Sequence, residues 1–286
     1  MTTTTLDNIA STSGTFSFGG ELDVVRLGYG AMRITGPGIW GPPADHDEAI
    51  RVLRRTRELG ISFIDTADSY GPNVSEELIA EALHPYADDL VIATKAGLTR
   101  QGPDRWFPVG APAYLRQQCE LSLRRLKVDR IDLFQLHRID AAVPLEDQVG
   151  ELKALQDEGK VRQIGLSEVS VAELVAAQAV APIASVQNKF SLGDRSSQAL
   201  LDHCTAEGIG FIPWRPVADH VDDGALQEVA AAHDATPSQI ALAWLLALSP
   251  VVVPIPGTST VAHLEENTAA AAIRLTDEEL SRLGAA

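Results

Sequence analysis

Short apolar runs and amphipathic stretches alternate along most of this 286-residue chain. The runs start near residues 25, 61, 90, 131, 163, 184, 210 and 251, and most are followed by a segment whose apolar positions recur at helical spacing. Short buried strands alternating with helices predict parallel βα units. Eight units in a chain of this length close into a single (β/α)8 TIM barrel of the α/β class. A doubly wound open sheet is the second choice, and no GxGxxG follows the first strand to support a nucleotide site of that kind.

Local signals sharpen the element boundaries. Asp45 with Glu48, Ser170 with Glu173 and Thr276 with Glu279 have capping-box spacing, the last pair opening an extra C-terminal helix. Thr236 precedes a proline at a first helical position, and Ser75 opens a helix through Leu83. Residues 15–18 and 22–27 alternate around Gly19-Gly20, predicting an N-terminal β-hairpin that covers one barrel end. Residues 1–14 are Thr/Ser-rich, with no basic start and no apolar core, and read as a disordered lead-in rather than a signal peptide. That leaves 15–286 as one barrel domain. Gly28-Tyr29-Gly30 is either a plain turn or a place of close backbone approach to a ligand.

Composition narrows the partners. A formal net charge of -16 argues against a nucleic-acid surface, and no run approaches the roughly 20 apolar residues of a membrane span. The reading is a cytoplasmic protein with a small-molecule partner, monomer or homo-oligomer undecided. Cys119 and Cys204 lie in helical patterns without CxxC or Cys/His spacing, so buried thiols are expected and no metal site.

Candidate chemistry sits where the apolar runs stop. The run 61–64 ends in Asp65, with Tyr70 five positions on beside Gly71; the run 90–94 ends in Lys95, and 131–136 ends in His137. Barrel enzymes keep their chemistry at such strand ends. Each residue also has a structural reading: Asp65 and Lys95 as an ion pair, Tyr70 as packing, His137 as a satisfied core histidine. Together, at three consecutive strand ends, they make a candidate proton-transfer site. Trp40, Trp106 and Phe107 fall in Gly/Pro-rich loops and are either an apolar substrate wall or loop packing, whereas Trp244 lies in an Ala/Leu helix and belongs to the core.

Asp65-Thr66-Ala67-Asp68-Ser69-Tyr70-Gly71, Ala93-Thr94-Lys95, Leu136-His137, Ile164-Gly165-Leu166-Ser167, Val186-Gln187-Asn188 and Ile255-Pro256-Gly257-Thr258-Ser259 with Glu266-Asn267 occur in the order found in aldo-keto reductases. The chain resembles that family from about residue 22 to 285. Within it, Gly28-Tyr29-Gly30-Ala31-Met32 and the following Gly/Pro loop look most like a bacterial branch that includes pyridoxal reductases. The resemblance implies NADPH-dependent carbonyl reduction, with Tyr70 as general acid, Lys95 and Asp65 as its tuning pair, and His137 as carbonyl orienter or proton relay. A free tyrosine has a pKa of about 10, and a nearby ammonium is expected to lower it.

For the cofactor, the resemblance assigns contacts to Gly30, Met32, Ser167, Glu168, Gln187, Trp214, Arg215, Pro216, Ile255, Gly257, Thr258, Ser259, His263, Glu266 and Asn267. Ser167 and Gln187 match the nicotinamide carboxamide positions, and Trp214 matches the stacking aromatic, usually Tyr. Glu168 stands where relatives have Asn, so that contact is lost, bridged by water, or made with a protonated carboxyl. Arg215 is a pyrophosphate cation or a surface ion pair. The helix start after Gly257-Thr258-Ser259 suits phosphate. Relatives place Lys or Arg around there, whereas this chain has Thr260-Val261-Ala262-His263, which leaves NADH use open beside NADPH. The alternatives to a broad carbonyl reductase are a pyridoxal reductase and a non-catalytic, NADPH-binding redox-sensing subunit.

Overall fold

The computed structural model describes residues 7–217 and 224–284. A seven-stranded parallel sheet forms the wall of the molecule. Its strands, named with those of two separate hairpins in chain order, are β3 (Tyr29–Gly30), β4 (Phe63–Asp65), β5 (Val91–Ala96), β8 (Ile131–Leu136), β9 (Val161–Ser167), β10 (Ser185–Gln187) and β11 (Gly210–Phe211). They pair in the order of the chain from β3 to β11. Parallel strands need crossovers, and the helices supply them: α1 (His46–Glu58), α2 (Val74–Leu83), α3 (Pro112–Leu126), α4 (Leu145–Asp157), α5 (Val171–Gln178), α6 (Gln198–Glu207), α7 (Gly224–Ala232), α8 (Pro237–Leu248), α9 (Val261–Ala269) and α10 (Asp277–Arg282).

Residues 251–256 provide the eighth stave. Val252 bridges Phe211 in parallel, and Val253 N–H donates to the Phe211 carbonyl at 2.8 Å. On the other side Gly28 and Gly30 N–H donate to the carbonyls of Pro254 and Pro256 at 3.0 and 3.4 Å. Pro254 and Pro256 have no N–H, so this seam is closed by few bonds. Close approach is also required there, because a Cβ on Gly30 would lie 2.7 Å from the Ile255 carbonyl oxygen, and one on Gly257 would lie 2.8 Å from that of Gly30.

The N-terminal hairpin, β1 (Thr15–Phe18) and β2 (Leu22–Val25), covers the barrel floor. Phe18, Leu22 and Val24 are buried against Phe63 and Val91, which open their strands, and against Leu133, Ile212 and Val253. Gly210 permits this: a Cβ there would meet the Phe18 ring at 2.2 Å. The first barrel strand is therefore Tyr29–Gly30, and the run near 25 belongs to the hairpin, a correction to the expected start.

Other boundaries differ for local reasons. The lead-in expected over 1–14 does not hold where the structure describes it: Ile9–Ser13 is a 3-10 helix with Ala10 buried, and residues 1–6 lie outside the described residues. The loop after β5 contains a hairpin, β6 (Leu98–Arg100) and β7 (Trp106–Pro108). Helix α7, with Leu226, Val229 and Ala230 buried at helical spacing, was not expected. Ser75 lies inside α2 rather than capping it, its hydroxyl bonded to Thr66. The capping boxes of α5, α8 and α10 are complete. Asp45 caps α1 without reciprocation, since Glu48 turns its carboxylate to Val261 N–H at 2.9 Å and to Arg51.

Candidate active site

Parallel register gathers the ionisable strand ends at one rim of the barrel. Asp65 closes β4 opposite Ala93, Lys95 stands opposite Gln135, and His137 follows β8. Lys95 Nζ donates to Asp65 Oδ1 at 2.6 Å, to the Thr66 carbonyl at 2.8 Å and to the Tyr70 hydroxyl at 3.4 Å. Asp65 Oδ2 receives the amide N–H groups of Gln135 at 3.0 Å and Gln187 at 2.8 Å. Both members of the ion pair are fully or almost fully buried. A buried pair of this kind holds only when its other bonding positions are filled, which these donors accomplish. Gln135 is a site residue that sequence reasoning missed, since one polar residue inside an apolar strand reads as core. Gly165 makes room for it, because a Cβ there would come within 2.8 Å of Gln135 Cγ.

The electrostatics assign distinct states to the titratable side chains at this rim. Burial pushes the Tyr70 phenol above its usual pKa, and Lys95 pulls against it without reversing the direction. The expected lowering by the ammonium is therefore outweighed in the resting site, and Tyr70 keeps its proton. Burial alone would lower Lys95, but Asp65 and then Tyr70 outweigh it and raise the ammonium. His137 is held well below the usual range by burial, then by the positive charges of Lys95, Arg138 and Arg100. It is a neutral imidazole at neutral pH. Ser69 Oγ lies 3.3 Å from its Nδ1 and Tyr70 meets its ring edge-on at 5.8 Å. A neutral imidazole carries one N–H and one bare nitrogen, so it can donate one hydrogen bond and accept another.

Arg100 builds the wall around this rim. Its guanidinium donates to the carbonyls of Gly38, Ile39 and Ser69 at 2.6–2.9 Å, which ties three loops together. It also stacks 3.5 Å from the Trp106 ring centroid and 5.7 Å from that of Trp40. Trp106 in turn stands 6.4 Å from both Tyr70 and His137. Of the three aromatics expected at the substrate, Trp106 is brought to the site, and Trp40 lines its margin with 38% exposure. Phe107 follows Trp106 on β7, where alternation sends it to the other face, and it is exposed. Trp244 is fully buried, as expected.

The residues expected to hold a cofactor run from β9 round to α9. Ser167 ends β9, and its hydroxyl accepts from Arg138 Nη1 at 3.0 Å, leaving its own O–H free to point elsewhere. Gln187 has its amide nitrogen committed to Asp65, so its oxygen is the group left to face a ligand. Glu168 adopts a left-handed conformation, φ 56°, and its Oε1 accepts from Trp214 Nε1 at 2.5 Å and from Lys189 N–H at 2.7 Å. Arg215 is exposed and Pro216 buried. Met32 lies half-buried on a 3-10 turn just after Gly30. Ile255 buries its side chain in the barrel interior, so any ligand contact falls to its backbone.

At α9 the picture is mixed. Thr258 is buried, its carbonyl taken by the Tyr29 hydroxyl at 2.7 Å, while Gly257 and Ser259 are exposed. Thr260 caps the helix by accepting from His263 N–H, and the Glu48 carboxylate occupies Val261 N–H. His263 is exposed and Asn267 buried, and Glu266 accepts from the Thr236 hydroxyl at 2.9 Å. No cluster of metal-binding side chains occurs among the described residues. None of their helices is long and apolar enough to cross a membrane.

Comparison with known proteins places this arrangement. The model of the aldo/keto reductase family matches residues 26–286. An uncharacterized oxidoreductase of Schizosaccharomyces pombe is 51% identical over 277 residues, 96% of this chain and 90% of that protein. Pyridoxine 4-dehydrogenase of Escherichia coli is 42% identical over 279 residues, covering 95% and 97%. Among solved structures, an aldo-keto reductase from Klebsiella pneumoniae in complex with NADPH superposes with a TM-score of 0.80 at 29% identity over 94% of this chain and 93% of that one. The glycerol dehydrogenase of Gluconobacter oxydans gives 0.84 at 27%, covering 95% and 94%. On a family match reaching from β3 to the C-terminal end, and on a relative that shares half its residues, the chain belongs to the aldo/keto reductase family.

Proposed function

We propose that this chain reduces aldehydes or ketones to alcohols with NADPH, using Tyr70 as the general acid. The observation that carries the reading is the buried chain Asp65–Lys95–Tyr70, with a neutral His137 beside the phenol. The nicotinamide end of the cofactor fits the Ser167 hydroxyl, the Gln187 oxygen and the Trp214 ring. When bound, NADPH supplies a hydride, two electrons with one proton, to the carbonyl carbon.

Tyr70 gives its proton to the carbonyl oxygen. Lys95 stabilises the phenolate left behind, and Asp65 keeps Lys95 charged and in place. His137 donates one N–H to the carbonyl oxygen and holds it near Tyr70. Trp106 and Arg100 screen that side of the site from water.

Pyridoxal is a second, narrower reading, favoured by the 42% identity to pyridoxine 4-dehydrogenase over nearly the whole chain. Comparing kcat/KM for pyridoxal with that for nitrobenzaldehydes, glyoxals and simple ketones separates a dedicated enzyme from a broad one. Tyr70→Phe tests the mechanism. Removing the general acid is expected to lower kcat/KM by about 10²–10⁴-fold. Near-normal reduction by that variant would refute the assigned role.

A further inference from the structure

Glu168 departs from the amide expected beside Ser167, and its surroundings explain what a carboxylate does there. Its Oε1 receives two N–H groups, Trp214 Nε1 at 2.5 Å and the Lys189 backbone at 2.7 Å. It reaches them from a left-handed backbone, φ 56°, that non-glycine residues adopt uncommonly. Its own N–H is tied to the Gln187 carbonyl at 3.0 Å, so the position is fixed from both sides. The side chain is thus locked between the end of β9 and Trp214, beside the space that Ser167, Gln187 and Trp214 border. Arg138 bonds Ser167 and the His137 carbonyl, and lies close enough to Glu168 to feel its charge. It makes no ion pair with a carboxylate among the described residues.

We propose that Glu168 has two roles at the nicotinamide: it holds the Trp214 ring in its stacking orientation, and its negative charge favours the oxidised cofactor over the reduced one. The inference rests on the functional reading above and deepens it. The nicotinamide ring is neutral in NADPH and carries a positive charge in NADP+, so a fixed carboxylate at its edge stabilises only the second. An amide in the same place makes hydrogen bonds without that preference. Tighter binding of NADP+ relative to NADPH makes the bound couple more reducing, which favours hydride donation to a carbonyl.

Glu168→Gln separates the two roles, because its side-chain oxygen can still accept from Trp214 and Lys189 while the charge is gone. Calorimetric titration of wild type and variant with NADP+ and with NADPH gives the ratio of the two Kd values. The ratio Kd(NADP+)/Kd(NADPH) is expected to rise by about fivefold to tenfold in the variant, as for a unit charge acting through a partly solvated site. A ratio within twofold of wild type would overturn the charge role. Glu168→Ala also removes the acceptor, so it is expected to weaken both cofactors and to diminish Trp214 fluorescence quenching on binding; quenching equal to wild type would overturn the positioning role. If Glu168→Gln does not fold, the Kd ratio of Glu168→Ala, which also lacks the charge, gives the charge comparison. Wild-type protein that binds neither cofactor would sink the proposed function itself, an outcome distinct from an unchanged ratio.

Discussion

Removing Lys95 tests whether the ion pair at the rim is one coupled unit. Lys95→Met keeps much of the side-chain volume but leaves Asp65, 2% exposed, without its cation. Breaking a buried pair from one side costs about 3–5 kcal/mol. Here Gln135 and Gln187 still donate to Asp65 Oδ2, so the lower part of that range, about 3–4 kcal/mol, is expected. For a domain somewhat above 250 residues that corresponds to a fall in Tm of roughly 6–14 °C. Asp65→Asn alone strands the ammonium between the Thr66 carbonyl and Tyr70 and should cost a similar amount. The double variant buries neither charge, so its loss should fall short of the sum by about 2 kcal/mol or more. Urea titrations of all four proteins, with a shared m-value checked, provide the cycle. Costs that add within about 0.5 kcal/mol would show that the two residues act independently and refute the coupled-unit account.

Two further outcomes follow from charges at the site. Glu48 places a carboxylate at the α9 N-terminus, where Val261 N–H and then Arg51 hold its carboxyl below the usual range. Replacing it with Gln should increase the preference for NADPH over NADH by about threefold to tenfold at low salt, measured as a ratio of Kd values; an unchanged ratio would remove Glu48 from cofactor choice. His137 has a folded pKa well below 6.5, so it binds its proton more readily in the unfolded chain. Its contribution to stability is complete above about pH 6.5 and is lost as the pH falls through the folded value. The urea midpoint of His137→Gln should therefore decline less steeply from pH 7 to pH 5 than that of wild type, and parallel declines would contradict the assignment.

Asp65, Lys95 and His137 were legible because each ends an apolar run, and parallel pairing turns strand ends into neighbours; Tyr70 stood out beside Gly71, five positions after Asp65. Ser170 with Glu173 and Thr276 with Glu279 were legible for a simpler reason, that both partners lie within one helical turn. Glu48 shows where such reading stops: its spacing from Asp45 suits a local cap, yet its carboxylate bonds Val261, 213 residues away. Gln135 was hidden by its strand, and Arg138 lay unremarked beside His137, because neither type of residue announces a role until Asp65 and Ser167 are brought to it. The hairpin inside 98–108 was missed because Gly and Pro signal a loop without saying what the loop pairs with.

Residues 251–256 meet β3 through two backbone hydrogen bonds, and the prolines at 254 and 256 prevent a full ladder from forming. The barrel is consequently a hoop with a clasp. The amides of Gly28 and Gly30 should exchange with solvent sooner than those in the middle of β5 or β8, since a short run of bonds opens at lower free energy than a long one. A dinucleotide that touches both Gly30 and the segment beginning at Gly257 would fasten that clasp from outside. Exchange at Gly28 and Gly30 should then slow on cofactor binding more than it does in β8, so that occupancy is recorded in the closure of the barrel itself.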